Sequence, residues 1–308
     1  MILSAGLTPA WQQIMLFEQM RWGEVNRARE VAWCGSGKVL NAGIAVHSLG
    51  GPSLTLAPLG GPPLAEIDRE FATLGVPRRW VETRVATRVC TTILDRATGG
   101  ITELVENGRP LDDGELAAFR AAYAEEAARA EIVVLIGSLP SGAPRSFYRE
   151  LATCTHCPMV LDFRGEGLLS VLELKPYVVK PNREELGHTF GRSLDDDAEL
   201  LAAMRRLNGL GAQWVVVTQG SKAVWLSSAE RAYGLVPPRV AEVVNSIGCG
   251  DSLAAGIAWA TRRGEAIIDA VRFGMGAAGD NLGKLLPCRL DARHAATLAD
   301  QVEVREIG

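Results

Sequence analysis

The sequence predicts an α/β protein built on a mainly parallel central sheet flanked by helices, with a small β-sheet lid beside it. Three observations carry this expectation. Short, nearly continuous apolar runs recur along the chain, helical patterns fall between them, and two stretches with a β-favouring composition break the alternation.

Ser53–Pro58 is a short strand candidate, followed by Glu131–Ile136 (EIVVLI), Pro158–Phe163 (PMVLDF), Tyr177–Val179 and Gln213–Thr218 (QWVVVT). Runs without polar alternation indicate strands covered on both faces, as in a parallel sheet. Helices are predicted over Asp112–Ala130, Asp195–Leu207 and Asp251–Arg263. The first opens with acidic residues, which suit the positive end of a helix. Strand, helix and strand in series place helices on both sheet faces. Regions 14–33 and 85–105 look instead like paired extended segments, turning near Trp22-Gly23 and Thr98-Gly99-Gly100. Val85–Leu94 is rich in Thr, Val and Arg, a strand-favouring mixture. These two regions are expected to form the lid. No repeat, low-complexity tract or linker divides the chain, so residues 1–308 read as one domain.

Composition narrows the function classes. With 47% apolar and 22% charged residues over 308 positions, the chain has the make-up of a globular protein with a substantial core. A net charge of −4 with no basic stripe argues against nucleic-acid binding, which needs clustered positive charge. No apolar run approaches the roughly 20 residues that cross a bilayer. Met1–Gly6 lacks the basic lead of a signal peptide, so a cytoplasmic location is expected. The cysteines are scattered, and Cys154-Thr155-His156-Cys157 lacks the second ligand pair of a zinc site, so reduced thiols are expected.

The strongest local signal is Asn245-Ser246-Ile247-Gly248-Cys249-Gly250-Asp251-Ser252, between an extended segment, Arg239–Val244, and an Ala-rich helix. Glycines at a helix start let successive N–H groups turn toward one point, and the positive helix end adds to the pull on an anion. Asp251, just inside that helix, would sit beside the anion. Phosphoryl transfer to a hydroxyl needs both parts: donors for the phosphoryl oxygens and a carboxylate to take the hydroxyl proton. Read alone, the segment is also compatible with a glycine-capped turn in which Asp251 merely caps the helix.

Other motifs accompany it. Gly137–Gly142 (GSLPSG) follows the strand Glu131–Ile136, and Lys180–Leu186 (KPNREEL) follows Tyr177–Val179. Thr218-Gln219-Gly220 and Phe273–Gly279 (FGMGAAG) come later; Thr8–Gln12 (TPAWQ), Gly23–Arg27 (GEVNR), Ser36–Asn41 (SGKVLN) and Thr87-Arg88 come earlier. In this order the set resembles the PfkB family of carbohydrate kinases, in its phosphosugar-kinase branch, from Leu7 to about Gly283. The resemblance implies a ribokinase-like fold, ATP and Mg²⁺, and a sugar phosphate acceptor of the fructose or tagatose phosphate type. It makes Asp251 the general base and the amides of Gly248, Cys249 and Gly250 the anion hole. Cys249 stands where the family has Ala but keeps its N–H.

The same resemblance assigns Asn182 and Glu185 to the Mg²⁺–phosphate region, largely through water, which suits an ion that dehydrates reluctantly. It places Thr218, Gly220, Ser246 and Gly276 beside the nucleotide, together with Asn182, Gly248 and Gly250. Small residues around Gly276 would let a flat base lie close, while a plain tight turn between strands would equally explain Thr218 and Gly220. On the sugar side it places Gln12, Gly37, Lys38, Asn41, Ser138 and Arg88. Lys38 and Arg88 would bind the phosphate already on the sugar, with Arg27 a third candidate, since Arg forks match phosphate oxygens and Lys adds a point charge. A homodimer through the lid is implied as well.

Several positions depart from the family pattern. Gln12 replaces the substrate aspartate and so loses a charge and gains donors. Asn245 replaces an acid, Ser36 and Val39 replace glycines, and Lys284 stands in register with an asparagine. Two other motifs fail: Gly35–Lys38 is not a P-loop, because Ala32 and Val39 occupy the required Gly and Ser/Thr places, and no strand-linked G-x-G-x-x-G supports a dinucleotide enzyme. Two other functions fit the same motifs: a kinase of an unphosphorylated sugar or nucleoside, and a non-catalytic sugar- or nucleotide-binding regulator. Replacing Lys38 and Arg88 separates the first from a phosphosugar kinase, and ADP release separates the second from both.

Overall fold

The computed structural model describes residues 1–307. Among these residues, fourteen strands form two sheets. The lid contains β2 (Ala10–Phe17), β3 (Glu30–Ser36), β6 (Arg88–Asp95) and β7 (Gly100–Val105). The main sheet contains β1 (Ile2–Ala5), β4 (Ser53–Gly60), β5 (Arg78–Thr83), β8 (Ile132–Ile136), β9 (Met159–Asp162), β10 (Val178–Val179), β11 (Trp214–Val217), β12 (Val224–Ser227), β13 (Ala232–Val236) and β14 (Glu303–Glu306).

The main sheet runs β14-β13-β12-β11-β10-β9-β8-β1-β4-β5. It is parallel from β5 to β11 and antiparallel beyond. Side chains alternate between its faces. Ile132, Val134 and Ile136 enter one apolar cluster, while Val133 and Leu135 enter another on the opposite side. Two buried faces explain why the run carries no polar alternation. Helices α1 (Lys38–Ser48) and α2 (Pro62–Leu74) pack on the first face. Helices α3 (Asp113–Ala127), α4 (Phe147–Thr153), α5 (Gly165–Leu169), α6 (Arg183–Phe190) and α7 (Asp197–Gly209) cover the second. Helices α8 (Cys249–Arg262), α9 (Ile267–Leu282) and α10 (Ala292–Ala299) complete the first face.

The predicted helices all form, with ends set by local chemistry. Asp112 caps α3, its side chain accepting from Glu115 N while the Glu115 side chain accepts from Asp112 N. This reciprocal pair satisfies two otherwise orphaned amides. Asp196 caps α7 in the simpler way, accepting from Glu199 N. Helix α8 starts at Cys249, two residues earlier than predicted, with Gly248 at its cap. Arg239–Val244 forms no strand; its end is tied by Val244 N to Leu282 O instead.

The lid forms from both expected regions, with boundaries four residues wider at the first N-terminus. It runs β3-β2-β6-β7, and β2 pairs parallel with β6 over the full length of both strands. Its inner face puts Ile14, Cys34 and Leu94 against Leu285 and Leu286 of the main body. β3 passes directly into α1 through Gly37, whose φ of 79° only glycine adopts without strain. A Cβ there would also lie 2.8 Å from Thr8 O.

Candidate active site

β1, β8, β9 and β10 are neighbours in the sheet, so their carboxyl ends gather Thr8, Ser138, Asp162 and Lys180 along one edge. In open α/β sheets, ligands bind outside these ends. The N-terminal turns of α1 and α8 meet the same edge and bring Lys38, Asn41 and Asp251.

Asp251 is 7% exposed, and Asn41 Nδ2 donates to its Oδ2 at 2.8 Å. Burial pushes the Asp251 carboxyl up to about 6, helped by the nearby Asp162 charge and opposed by Lys38, Asn41 and Lys180. A carboxylate poised near neutrality suits a general base. Asp162 is fully buried, with Lys38 Nζ 2.8 Å from one oxygen and Lys180 Nζ 2.9 Å from the other. Burial opposes its ionisation, but Lys180 and Lys38 outweigh that and lower its pKa. Lys38 also donates to Glu185 Oε1 at 3.1 Å. Burial favours its neutral amine, yet Asp162, Glu185 and Asp251 prevail and hold the ammonium charged well beyond the ordinary lysine range.

The glycine turn before Asp251 is held from outside. Gly248 takes φ 82°, and a Cβ there would meet Cys288 Sγ and Pro287 Cβ at 2.9 Å. Asn281 locks this arrangement: its Nδ2 donates to Ile247 O and its Oδ1 accepts from Cys288 N. Asn245 is fully buried, accepting from Ile247 N and donating to Leu285 O. Among the described residues, the N–H groups of Gly248, Gly250 and Asp251 have no hydrogen-bond partner, whereas Cys249 N turns back to Ser246 O at 3.3 Å. The free donors therefore include Asp251's own amide, and the Cys249 amide is the one withdrawn. Lys180 Nζ lies 3.5 Å from where a Gly250 Cβ would stand, adding positive charge beside this turn.

Asn182 and Glu185 form a reciprocal cap on α6: Asn182 Oδ1 accepts from Glu185 N at 2.7 Å, and Glu185 Oε2 accepts from Asn182 N at 2.9 Å. Thr218 bridges to Asn182, and Arg183 N donates to Thr218 O, so the turn carrying Gly220 (φ 63°) lies against this cap.

A cleft of about 760 Å³ opens between this edge and the lid, lined by Thr8, Lys38, Arg88, Ser138, Arg164 and Glu185 among others. Arg88 reaches across from β6, donating to Thr8 O, Pro9 O and Glu106 O.

Two expected site residues, Arg27 and Gly276, lie elsewhere, and a third, Gln12, is engaged within the lid. Gln12 is buried on the inner face of the lid, opposite Cys34, and donates to Thr92 Oγ1 at 2.7 Å. Arg27 is exposed in the loop between β2 and β3, away from the lining residues. Gly276 is buried where a Cβ would sit 2.1 Å from Ala295 O, so its small size lets α9 approach α10 instead of receiving a base. Lys284 is occupied too, donating to Asp280 Oδ2 and Arg289 O. Ser246 is exposed, ahead of the glycine turn. Conversely, sequence reading passed over Asp162 and Lys180. Their signal was available: an acid ending an apolar strand, and the first residue of the KPN segment.

Asn41, Lys38, Lys180 and the glycine turn thus gather around one buried carboxylate. The sequence pattern of the pfkB family carbohydrate kinases matches residues 12–285, and the chain belongs to that family. Solved structures share the fold. A possible 1-phosphofructokinase from Thermotoga maritima superposes with a TM-score of 0.91 at 20% identity, covering 100% of this chain and 99% of that one. The tetrameric inhibited form of phosphofructokinase-2 from Escherichia coli gives 0.87 at 23% identity, covering 97% and 98%. Arabidopsis thaliana ribokinase complexed with ribose and ATP gives 0.74 at 20% identity, covering 97% and 98%. The lid and the mainly parallel sheet are accordingly those of a ribokinase-like kinase.

Proposed function

We propose that this carbohydrate kinase transfers the γ-phosphoryl of ATP to a hydroxyl of a hexose phosphate, with Asp251 as the base. The observation that carries this reading is the buried Asp251 carboxylate, held by Asn41 next to unpartnered amides and coupled through Lys38 to the lid-covered cleft. Asp251 takes the hydroxyl proton as the oxygen attacks, and the amides of Gly248, Gly250 and Asp251 hold the phosphoryl oxygens. Lys180 balances charge beside them. Thr218 and Gly220 support the nucleotide side; Ser138, Lys38 and Arg88 support the acceptor.

The donor set fits Mg²⁺. Glu185 lines the cleft and, with Asn182 capped against it, offers hard oxygen atoms, and no group of three or more His, Cys, Asp or Glu among the described residues forms a dedicated cage. An ion that keeps most of its water and shares phosphate oxygens needs no cage. When bound, it would neutralise charge on the transferring phosphates.

The outward lid face supports a homodimer: Val31, Trp33 and Leu104 are 47%, 43% and 53% exposed on it. No helix among the described residues is long and apolar enough to cross a membrane, and use of ATP suits a cytoplasmic enzyme.

The test is ADP release with Mg²⁺-ATP across fructose 1-phosphate, fructose 6-phosphate, tagatose 6-phosphate and the free hexoses. Turnover with a hexose phosphate that is lost in Asp251→Asn supports the reading. Turnover only with unphosphorylated acceptors overturns the acceptor assignment, and turnover unaffected by Asp251→Asn overturns the base.

A further inference from the structure

Four cations line the acceptor cleft: Lys38, Arg88, Arg145 and Arg164. Three are already engaged. Lys38 is shared between Asp162 and Glu185. Arg145 pairs with Glu166, which lines the same cleft. Arg88 spends three of its donors on the backbone carbonyls of Thr8, Pro9 and Glu106, bracing the lid strand against the β1–β2 connection. Arg164 is different. It is exposed, lies two residues past the end of β9, after Asp162 and Phe163, and has no hydrogen-bond or ion-pair partner among the described residues.

We propose that Arg164 determines specificity for the phosphorylated acceptor by binding the phosphate that the sugar already carries. The proposal rests on the hexose phosphate reading above and adds to it which cation discriminates. An engaged ammonium or guanidinium must give up an existing partner before it binds a phosphate, and that loss offsets the gain. A free guanidinium in the cleft has no such loss and presents a planar fork that matches phosphate oxygens. The neighbouring charges allow it. Glu166 and Glu185 are neutralised by Arg145 and Lys38, leaving Glu103 of β7 as the unpaired carboxylate of the lining, across from the lid strand that carries Arg88. In this arrangement Arg88 keeps the lid in place, Lys38 orders the carboxylates near Asp251, and Arg164 reads the remote anion.

The experiment compares wild type with Arg164→Ala and Arg164→Lys by steady-state kinetics on the best hexose phosphate of the panel, on ATP and on the matching free hexose. Titration calorimetry with the same hexose phosphate gives binding without turnover. Loss of one charge-assisted pair raises KM and Kd for the hexose phosphate about 10- to 100-fold in Arg164→Ala. KM for ATP and the weak turnover of the free hexose stay as in wild type, and Arg164→Lys recovers part of the affinity. An unchanged hexose phosphate KM in Arg164→Ala, with wild-type turnover present, overturns the proposal and leaves the functional reading standing. Equal losses toward hexose phosphate and free hexose also overturn it, because they show a structural role. Wild-type turnover confined to unphosphorylated acceptors overturns both together, and the wild-type panel alone shows it.

Discussion

Asn41 in the first turn of α1 donates to Asp251 in the first turn of α8 at 2.8 Å, joining residues 210 positions apart. One helix emerges from the lid and the other from the glycine turn, so this bond ties the lid to that turn. Because Asn41 donates to the ionised carboxylate, it stabilises the basic form of a group that burial disfavours.

Asp251→Asn should separate activity from stability. Loss of the base lowers kcat by about 10²- to 10⁴-fold. The folded carboxyl, at about 6, lies above the ordinary aspartate value of 3.8, so the native state holds the proton more tightly than the unfolded chain. Its contribution to stability is full at low pH and is lost as pH rises through about 6. Removing the charge therefore stabilises the protein at pH 8, on the order of 2–3 kcal/mol. Urea unfolding at pH 5 and pH 8 checks this: the gain appears at pH 8 and shrinks at pH 5.

The pH profile of kcat/KM should fall on the acid side with a midpoint near 6, as Asp251 takes up its proton. Asn41→Ala moves that midpoint upward, since a bond favouring the ionised form is gone. Asp162→Asn moves it downward, since a nearby negative charge is gone. Midpoints that stay fixed in both variants would assign the limb to another group.

Gly248→Ala should impair both folding and turnover. An alanine held at φ 82° costs about 1–3 kcal/mol. Its Cβ would also crowd Cys288 Sγ and Pro287 Cβ. Relief requires the turn to move, which displaces the Gly248, Gly250 and Asp251 amides. A lower melting temperature with a large kcat loss and a smaller change in KM for ATP is the expected pattern.

Gly276→Ala tests the reassignment of that glycine. The added methyl would press on Ala295 O across the α9–α10 contact, at a cost of about 1–3 kcal/mol by overpacking. A lower melting temperature with an unchanged KM for ATP follows from a packing role. A raised KM for ATP without destabilisation would return Gly276 to the nucleotide site.

Much of the fold was legible because burial on both faces leaves a plain mark. Ile132–Ile136 has no polar residue to face water, and the structure covers both of its sides. The lid was legible for the opposite reason, a Thr- and Arg-rich composition with tight turns. Asp251 and its glycines were legible because amides turned toward one point at a helix start need a recognisable local sequence. The partners of Gln12 and Gly276 were hidden because they depend on what stands opposite them, Thr92 in one case and Ala295 in the other. Cross-strand and cross-helix partners are tertiary facts. Asp162 was hidden similarly: its importance comes from Lys38 and Lys180, which lie 124 positions before it and 18 after it.

The continuity of β3 with α1 has a mechanical result. Gly37 alone separates the strand from the helix, and it is wedged against Thr8 and Ala10. A swing of the four-stranded sheet therefore turns the helix that carries both Lys38 and Asn41. On the proposed reading, acceptor capture by the lid and alignment of the base are therefore geared to the same crank.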